Sequence, residues 1–207
     1  MSCNAGGQPP SQPDLPFADY AFPQSEKGWN GLILVGEAPG AEEARQGKPF
    51  VGRSGQLLDK MLEQAGIERE RTLIANVFRF QPPGNKVDTF FSSRKAAKVE
   101  GYGLAEEYGK FGSAYCRAAY AKELENLREM LVREKPDVVM ALGRTPMWAL
   151  TGENGLLEKV GKPMPCRLCP SITVIPTYHP SFILRGNWKL QDEWLRHFQT
   201  AKSFLRK

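Results

Sequence analysis

The stretch Leu32-Ile33-Leu34-Val35-Gly36-Glu37-Ala38-Pro39-Gly40 decides the fold. A short, continuous apolar run stops at a glycine and passes into a polar turn. A run of that length without polar alternation predicts a strand covered on both faces, and such strands belong to parallel sheets. Three more runs follow the pattern: Thr72-Leu73-Ile74-Ala75-Asn76-Val77-Phe78, Asp137-Val138-Val139-Met140-Ala141-Leu142 and Ile172-Thr173-Val174-Ile175.

Helical stripes separate these runs. Leu57, Leu58, Met61, Leu62 and Ala65 share one helix face, and Gly66 ends it. Ala118 to Arg133 predicts a longer helix with Leu124, Leu127 and Leu131 on one side, stopped by Pro136. Thr145-Pro146 reads as a helix N-cap followed by proline in the first turn. Leu190, Trp194, Leu195, Phe198 and Phe204 mark a C-terminal helix. Strand and helix alternate, so the expected fold is α/β: a three-layer α/β/α sandwich around a central, mainly parallel four-stranded sheet. Such sheets bind ligands beyond the carboxyl ends of their strands. Two polar turns stand at those ends, Gly36 to Gly40 and Tyr178-His179-Pro180-Ser181.

At 207 residues the chain can hold one domain with a full core. A hydrophobic content of 41%, a mean hydropathy of −0.43 and the lack of a long apolar stretch argue against a membrane span. Residues 1–27, rich in Gly, Pro, Ser and Gln, read as a flexible tail rather than a signal peptide, ahead of a single domain over 28–207. A net charge of +5 and a pI of about 9.0 suit an anionic partner such as nucleic acid, though a basic soluble protein would share them. Four cysteines without an export signal predict reduced thiols and a cytoplasmic location. Residues 87–114 form a long insertion without strand pattern, with a short basic helix expected over Arg94 to Lys98.

In the first turn, glycine permits close approach of backbone to a ligand, and proline fixes the bend. Glu37 at the strand end can hold or activate a water, or simply be solvated. Behind it stands Gly47-Lys48-Pro49-Phe50-Val51-Gly52, whose glycines and proline set Phe50 apart from ordinary core. Asn76 offers both a donor and an acceptor, or caps a turn. His179 is one of two histidines. The other, His197, lies in the amphipathic C-terminal helix and reads as structural. Gly143-Arg144-Thr145 opens a helix at the same sheet edge, where backbone N–H groups suit a phosphate.

Together these motifs, with Asn76-Val77-Phe78-Arg79-Phe80-Gln81-Pro82-Pro83-Gly84-Asn85, resemble the signatures of the uracil-DNA glycosylase superfamily, and the first resembles family 4. The resemblance runs from about Gly31 to Arg185. It implies a monofunctional, monomeric DNA-repair hydrolase that flips uracil out of DNA and cleaves its N-glycosidic bond. Free uracil and an abasic site would be the products. By the same resemblance Phe50 stacks on the base, Gly36 and Ala38 border it, and Asn76 reads its edge. Glu43 lies near C5, where it disfavours thymine's methyl group, and His179 donates to O2. Glu37 is the candidate for activating water. The Pro82-Pro83-Gly84 loop would lie against DNA backbone, with Arg144, Thr145, Ser181 and Arg185 near phosphates. Phe182 or Leu184 would fill the gap that the base leaves.

Family 4 enzymes hold an iron–sulfur cluster on four cysteines. Here the tail has only Cys3, Phe80 stands at the third position, and Cys116 matches the fourth, so no cluster of that design is expected. Cys166-Arg167-Leu168-Cys169 is a pair without nearby partners in sequence, and no metal is expected there either. The insertion would brace the fold in the cluster's stead or offer a basic DNA-facing loop. Three rival functions remain, of which a nucleotide-binding α/β enzyme unrelated to DNA is the one that the paired motifs disfavour most. A non-turnover uracil-DNA binding protein would carry a basic loop with a histidine after the first motif, whereas Ala44-Arg45-Gln46 leads directly into Gly47. A glycosylase for another deaminated base, such as hypoxanthine, fits Asn76 with Phe50 less well.

Overall fold

The computed structural model describes residues 15–206. In chain order its strands are β1 (Leu32–Gly36), β2 (Leu73–Asn76), β3 (Phe91–Ser92), β4 (Tyr115–Cys116), β5 (Val138–Leu142), β6 (Met164–Pro165) and β7 (Thr173–Thr177). Its helices are α1 (Ala41–Gln46), α2 (Arg53–Ala65), α3 (Arg94–Glu100), α4 (Ala121–Glu134), α5 (Arg144–Thr151), α6 (Pro180–Leu184) and α7 (Gln191–Lys202). The main sheet runs β2-β1-β5-β7-β6. Its first four strands are parallel, and β6 pairs antiparallel with β7. Five strands thus stand where the sequence predicts four, because the two residues of β6 are too few to show a period.

Alternating side chains feed two cores, which is why the runs are apolar throughout. Ile33, Val35, Val139 and Ala141 face one layer with α4 and α5. Leu32, Leu34, Val138 and Met140 face the other, where Leu58, Met61 and Leu62 of α2 meet Trp194 and Phe198 of α7. Gly66 closes α2 at φ +65, and α4 ends at Lys135, one residue before Pro136. The start of α5 differs from expectation. Gly143, at φ +108, is the N-cap, and Thr145 lies buried in the first turn.

The tail expected over residues 1–27 falls partly outside the described residues. Its described part, from Leu15, is laid against the sheet. Ala21 bridges antiparallel to Ile74, and Phe17 to Phe80. Strand β2 would otherwise present an open edge. Arg79 is the fastener. Its Nε and Nη2 donate to the buried Glu123 carboxylate at 2.9 and 3.0 Å, and its Nη1 to Asp19 at 3.2 Å. Its guanidinium also lies over the rings of Phe17 and Tyr20.

The insertion is ordered. β3 and β4 form a small antiparallel ribbon, and Ser93 caps α3 by accepting from the Ala96 N–H. Aromatic rings fill the space beneath it: Phe90 lies 4.2 Å from Tyr120, Phe91 4.5 Å from Phe111, and Phe91 5.2 Å from Trp148. This packing ties the insertion to α4 and α5. Arg94 is paired with Glu106, while Lys95 and Lys98 are exposed.

Candidate active site

Gly36 and Asn76 are register partners at the carboxyl ends of β1 and β2. A Cβ on Gly36 would come 2.4 Å from Asn76 Oδ1 and 2.6 Å from the Phe50 ring. Glycine therefore lets an amide and an aromatic face meet over the strand end. Phe50 reaches this place at φ +53, a left-handed conformation uncommon for a bulky residue. Arg69 donates to its carbonyl at 3.0 Å, and a Cβ on Gly55 would overlap the same oxygen. The ring belongs to the second core and also borders a cavity, so core and ligand surface coincide.

That cavity has a volume of about 230 Å³ and is bordered by Glu37, Ala38, Glu43, Phe50, Asn76 and His179. Glu43 has a second duty: its carboxylate accepts the Gly52 N–H at 3.0 Å and ties down the loop that carries Phe50. His179 follows β7 and faces Phe50, with ring centroids 5.8 Å apart. Its Nδ1 accepts the Ser181 backbone N–H at 3.1 Å and lies 2.8 Å from the Ser181 hydroxyl. An accepting Nδ1 places the neutral ring's proton on Nε2. Burial, helped by Arg185, lowers this imidazole to about 4 from its ordinary 6.5. The ring is thus a neutral N–H donor at physiological pH.

Glu37 lies across from it, at the end of β1. Burial raises its carboxyl above the ordinary carboxylate range, and a hydrogen bond from Thr145 opposes that rise. Beyond Glu37 and His179 opens a larger cavity of about 760 Å³, bordered by Arg144, Phe182 and Arg185 among others. Glu37, Asn85, His179 and Ser181 border both spaces. The site is therefore a small chamber with an aromatic face and an amide, opening past a carboxylate and an imidazole into a wider trough.

A family model described as the uracil DNA glycosylase superfamily matches residues 29–201. The chain belongs to the uracil-DNA glycosylase superfamily. It is 34% identical over 178 residues to a type-4 uracil-DNA glycosylase of Thermotoga maritima, covering 85% of this chain and 78% of that protein. It is 30% identical over 182 residues to a type-4 uracil-DNA glycosylase of Archaeoglobus fulgidus, covering 81% and 73%.

Within this superfamily member, most of the residues singled out in the sequence gather on the two cavities, while Gly36, Pro83, Gly84, Thr145 and Leu184 border neither. Thr145 is fully buried with its hydroxyl given to Glu37, so it is withdrawn from any phosphate. Leu184 packs against the second core and borders neither cavity, which leaves Phe182 at the trough, stacked on Tyr178 at 5.6 Å. Pro82 is buried on the small chamber, while Pro83 and Gly84 are exposed. Ser54 and Asn85 border the small chamber and were not singled out in the sequence. Both stand inside motifs already quoted or next to them, so position alone would have flagged them.

Among the described residues, no group of three or more His, Cys, Asp or Glu side chains lies together to hold a metal. Cys116 is buried, and burial pushes its thiol up to about 12. Phe80 packs on Phe17 at 5.5 Å, and Cys3 lies outside the described residues. Cys166 is buried with its thiol likewise raised, and Cys169 is half-buried.

Proposed function

We infer that this protein excises uracil from DNA by hydrolysis of the N-glycosidic bond. The observation that carries the reading is the small chamber of about 230 Å³, which Phe50, Asn76 and His179 border together. The type-4 names of the relatives supply the substrate.

A base flipped out of the helix stacks on Phe50. Asn76 accepts from uracil N3–H and donates to O4. Cytosine presents the opposite pattern and would leave buried groups unpaired. As the bond between C1′ and N1 breaks, its electron pair moves onto the base and collects at O2. The His179 Nε2–H is already oriented to receive that charge, and a neutral donor needs no reorganisation. The sugar becomes oxocarbenium-like. Glu37 takes a proton from the water whose oxygen bonds to C1′, leaving an abasic site and a uracil anion, and the anion takes up one proton as Glu37 gives one back to solvent, so that free uracil is released. Glu43 borders the base near C5 while it holds the Phe50 loop. The Arg144 backbone N–H, Ser181 and Arg185 meet the strand's phosphates, the Pro83-Gly84 turn lies against its backbone, and Phe182 enters the space that the base leaves.

The residues present do not supply the family 4 cysteine set: a phenylalanine stands at the third position and only Cys3 precedes the first motif, so no step of the reaction is drawn through a cluster. We propose a monomer acting on cytoplasmic DNA. The test is a labelled oligonucleotide with one uracil against a thymine control, incubated with the protein and with His179→Ala, then treated with alkali. Uracil-dependent cleavage that the substitution abolishes supports the reading. No cleavage at all would overturn it.

A further inference from the structure

We propose that the larger cavity is a second nucleotide subsite, built partly by the 87–114 insertion, that holds the base next to the uracil in the same strand. The proposal rests on the reading of the small chamber as the uracil site. The two cavities are continuous through Glu37, Asn85, His179 and Ser181, so a strand that delivers a base to one must cross the other. At about 760 Å³ the trough has roughly three times the volume of the chamber, more than a sugar and phosphate alone would need.

Its walls suit a base. Phe111 of the insertion lies beneath Arg144, whose guanidinium carbon stands 5.0 Å from the ring centroid. The phenylalanine is buried and the arginine exposed, so the stack presents the planar guanidinium to the cavity. Guanidinium planes stacked on aromatics accept a further flat ring. Leu157, on the turn Leu156–Glu158, borders the same cavity and is 70% exposed. A leucine held out at a cavity mouth gains only when something apolar covers it. Charge agrees with a nucleotide: Lys86 and Arg185 can meet phosphates, while Asp88 and Glu158 are acceptors for the amino hydrogens of a base.

The test uses the full-length protein and single-stranded oligonucleotides carrying one uracil. In two of them a tetrahydrofuran residue replaces the base on the 5′ or the 3′ side of the uracil. With wild type, single-turnover excision should slow about five- to tenfold when one of the two neighbours lacks its base, as loss of a stacked base does elsewhere. Leu157→Ala and Arg144→Lys should each slow excision of the intact substrate and add little on the substrate lacking that neighbour, the non-additivity of groups in contact. Leu157 is exposed enough for its replacement to leave melting unchanged. Equal wild-type rates with and without both neighbouring bases overturn the subsite while leaving uracil excision intact. A full neighbour effect in both variants overturns the assigned walls. If wild type excises no uracil from any substrate, the chamber reading falls and this one with it.

Discussion

The hydroxyl of Thr145 donates to Glu37 across 108 residues of sequence, joining the carboxyl end of β1 to the first turn of α5. Glu37 is raised by burial and lowered by this bond. As a base it works only when ionised, so excision should fall as the pH drops through its raised pKa. Thr145→Val removes the lowering influence. A bond worth about 1 kcal/mol corresponds to roughly 0.7 pH unit, so the acid limb should move up by that amount with the plateau near wild type. A pH profile of single-turnover rates checks this, and an unmoved limb removes Glu37 from the role of base.

In the proposed mechanism His179 supplies a preformed donor, and removal of such a donor costs about 10²–10³ in rate. His179→Ala should lose that much with little change in DNA affinity, measured by single-turnover kinetics beside equilibrium binding.

The same residue makes a stability prediction. Its folded pKa of about 4 lies below the ordinary 6.5. The unfolded chain therefore takes up the proton first on acidification. Stability from the neutral ring is complete above about pH 6.5 and is lost as pH falls toward 4. Denaturant midpoints between pH 4 and 7 should decline less steeply in His179→Gln than in wild type.

Gly36→Ala would drive a methyl into Asn76 Oδ1 and the Phe50 ring at once. Misplacing two binding groups by about an ångström should cost on the order of 10²-fold in kcat/KM.

Glu123→Ala leaves Arg79 with only the exposed Asp19 carboxylate. Losing charge-assisted hydrogen bonds of this kind costs about 1.5–3 kcal/mol. Chemical denaturation should show that loss, accompanied by faster amide exchange over residues 17–21, which the arginine pins down. Unchanged exchange there would mean that the segment is held by its backbone bridges alone.

The four long strands could be read from sequence because each is buried on both faces, so no polar residue interrupts Leu32 to Val35 or Val138 to Leu142. The chamber was legible for a related reason. Asn76 is a polar side chain at the end of an apolar run, and Phe50 follows a glycine- and proline-rich turn, so both stand out from plain core sequence. What could not be read depends on contacts distant in sequence. Thr145 resembles an N-cap because proline follows it, and only the fold brings Glu37 to its hydroxyl. β3, β4 and β6 are two residues each, below any period. The polar composition before residue 28 suggests a tail, yet Asp19 and the rings of Phe17 and Tyr20 find one arginine at position 79. Phe111 and Leu157 border the trough through insertion and turn geometry that no motif announces.

The Arg79–Glu123 fastener also sets a timetable. Residues 17–21 leave the ribosome about a hundred residues before Glu123, some 5 to 20 s at ordinary rates of synthesis. Until then Arg79 has only Asp19 as counter-charge, and residues 17–21 are held to β2 by their backbone bridges alone. The earliest-made of these pieces is thus among the last to be locked, and during that interval the nascent chain carries a loosely guarded strand edge on which a chaperone, or another nascent copy, can act.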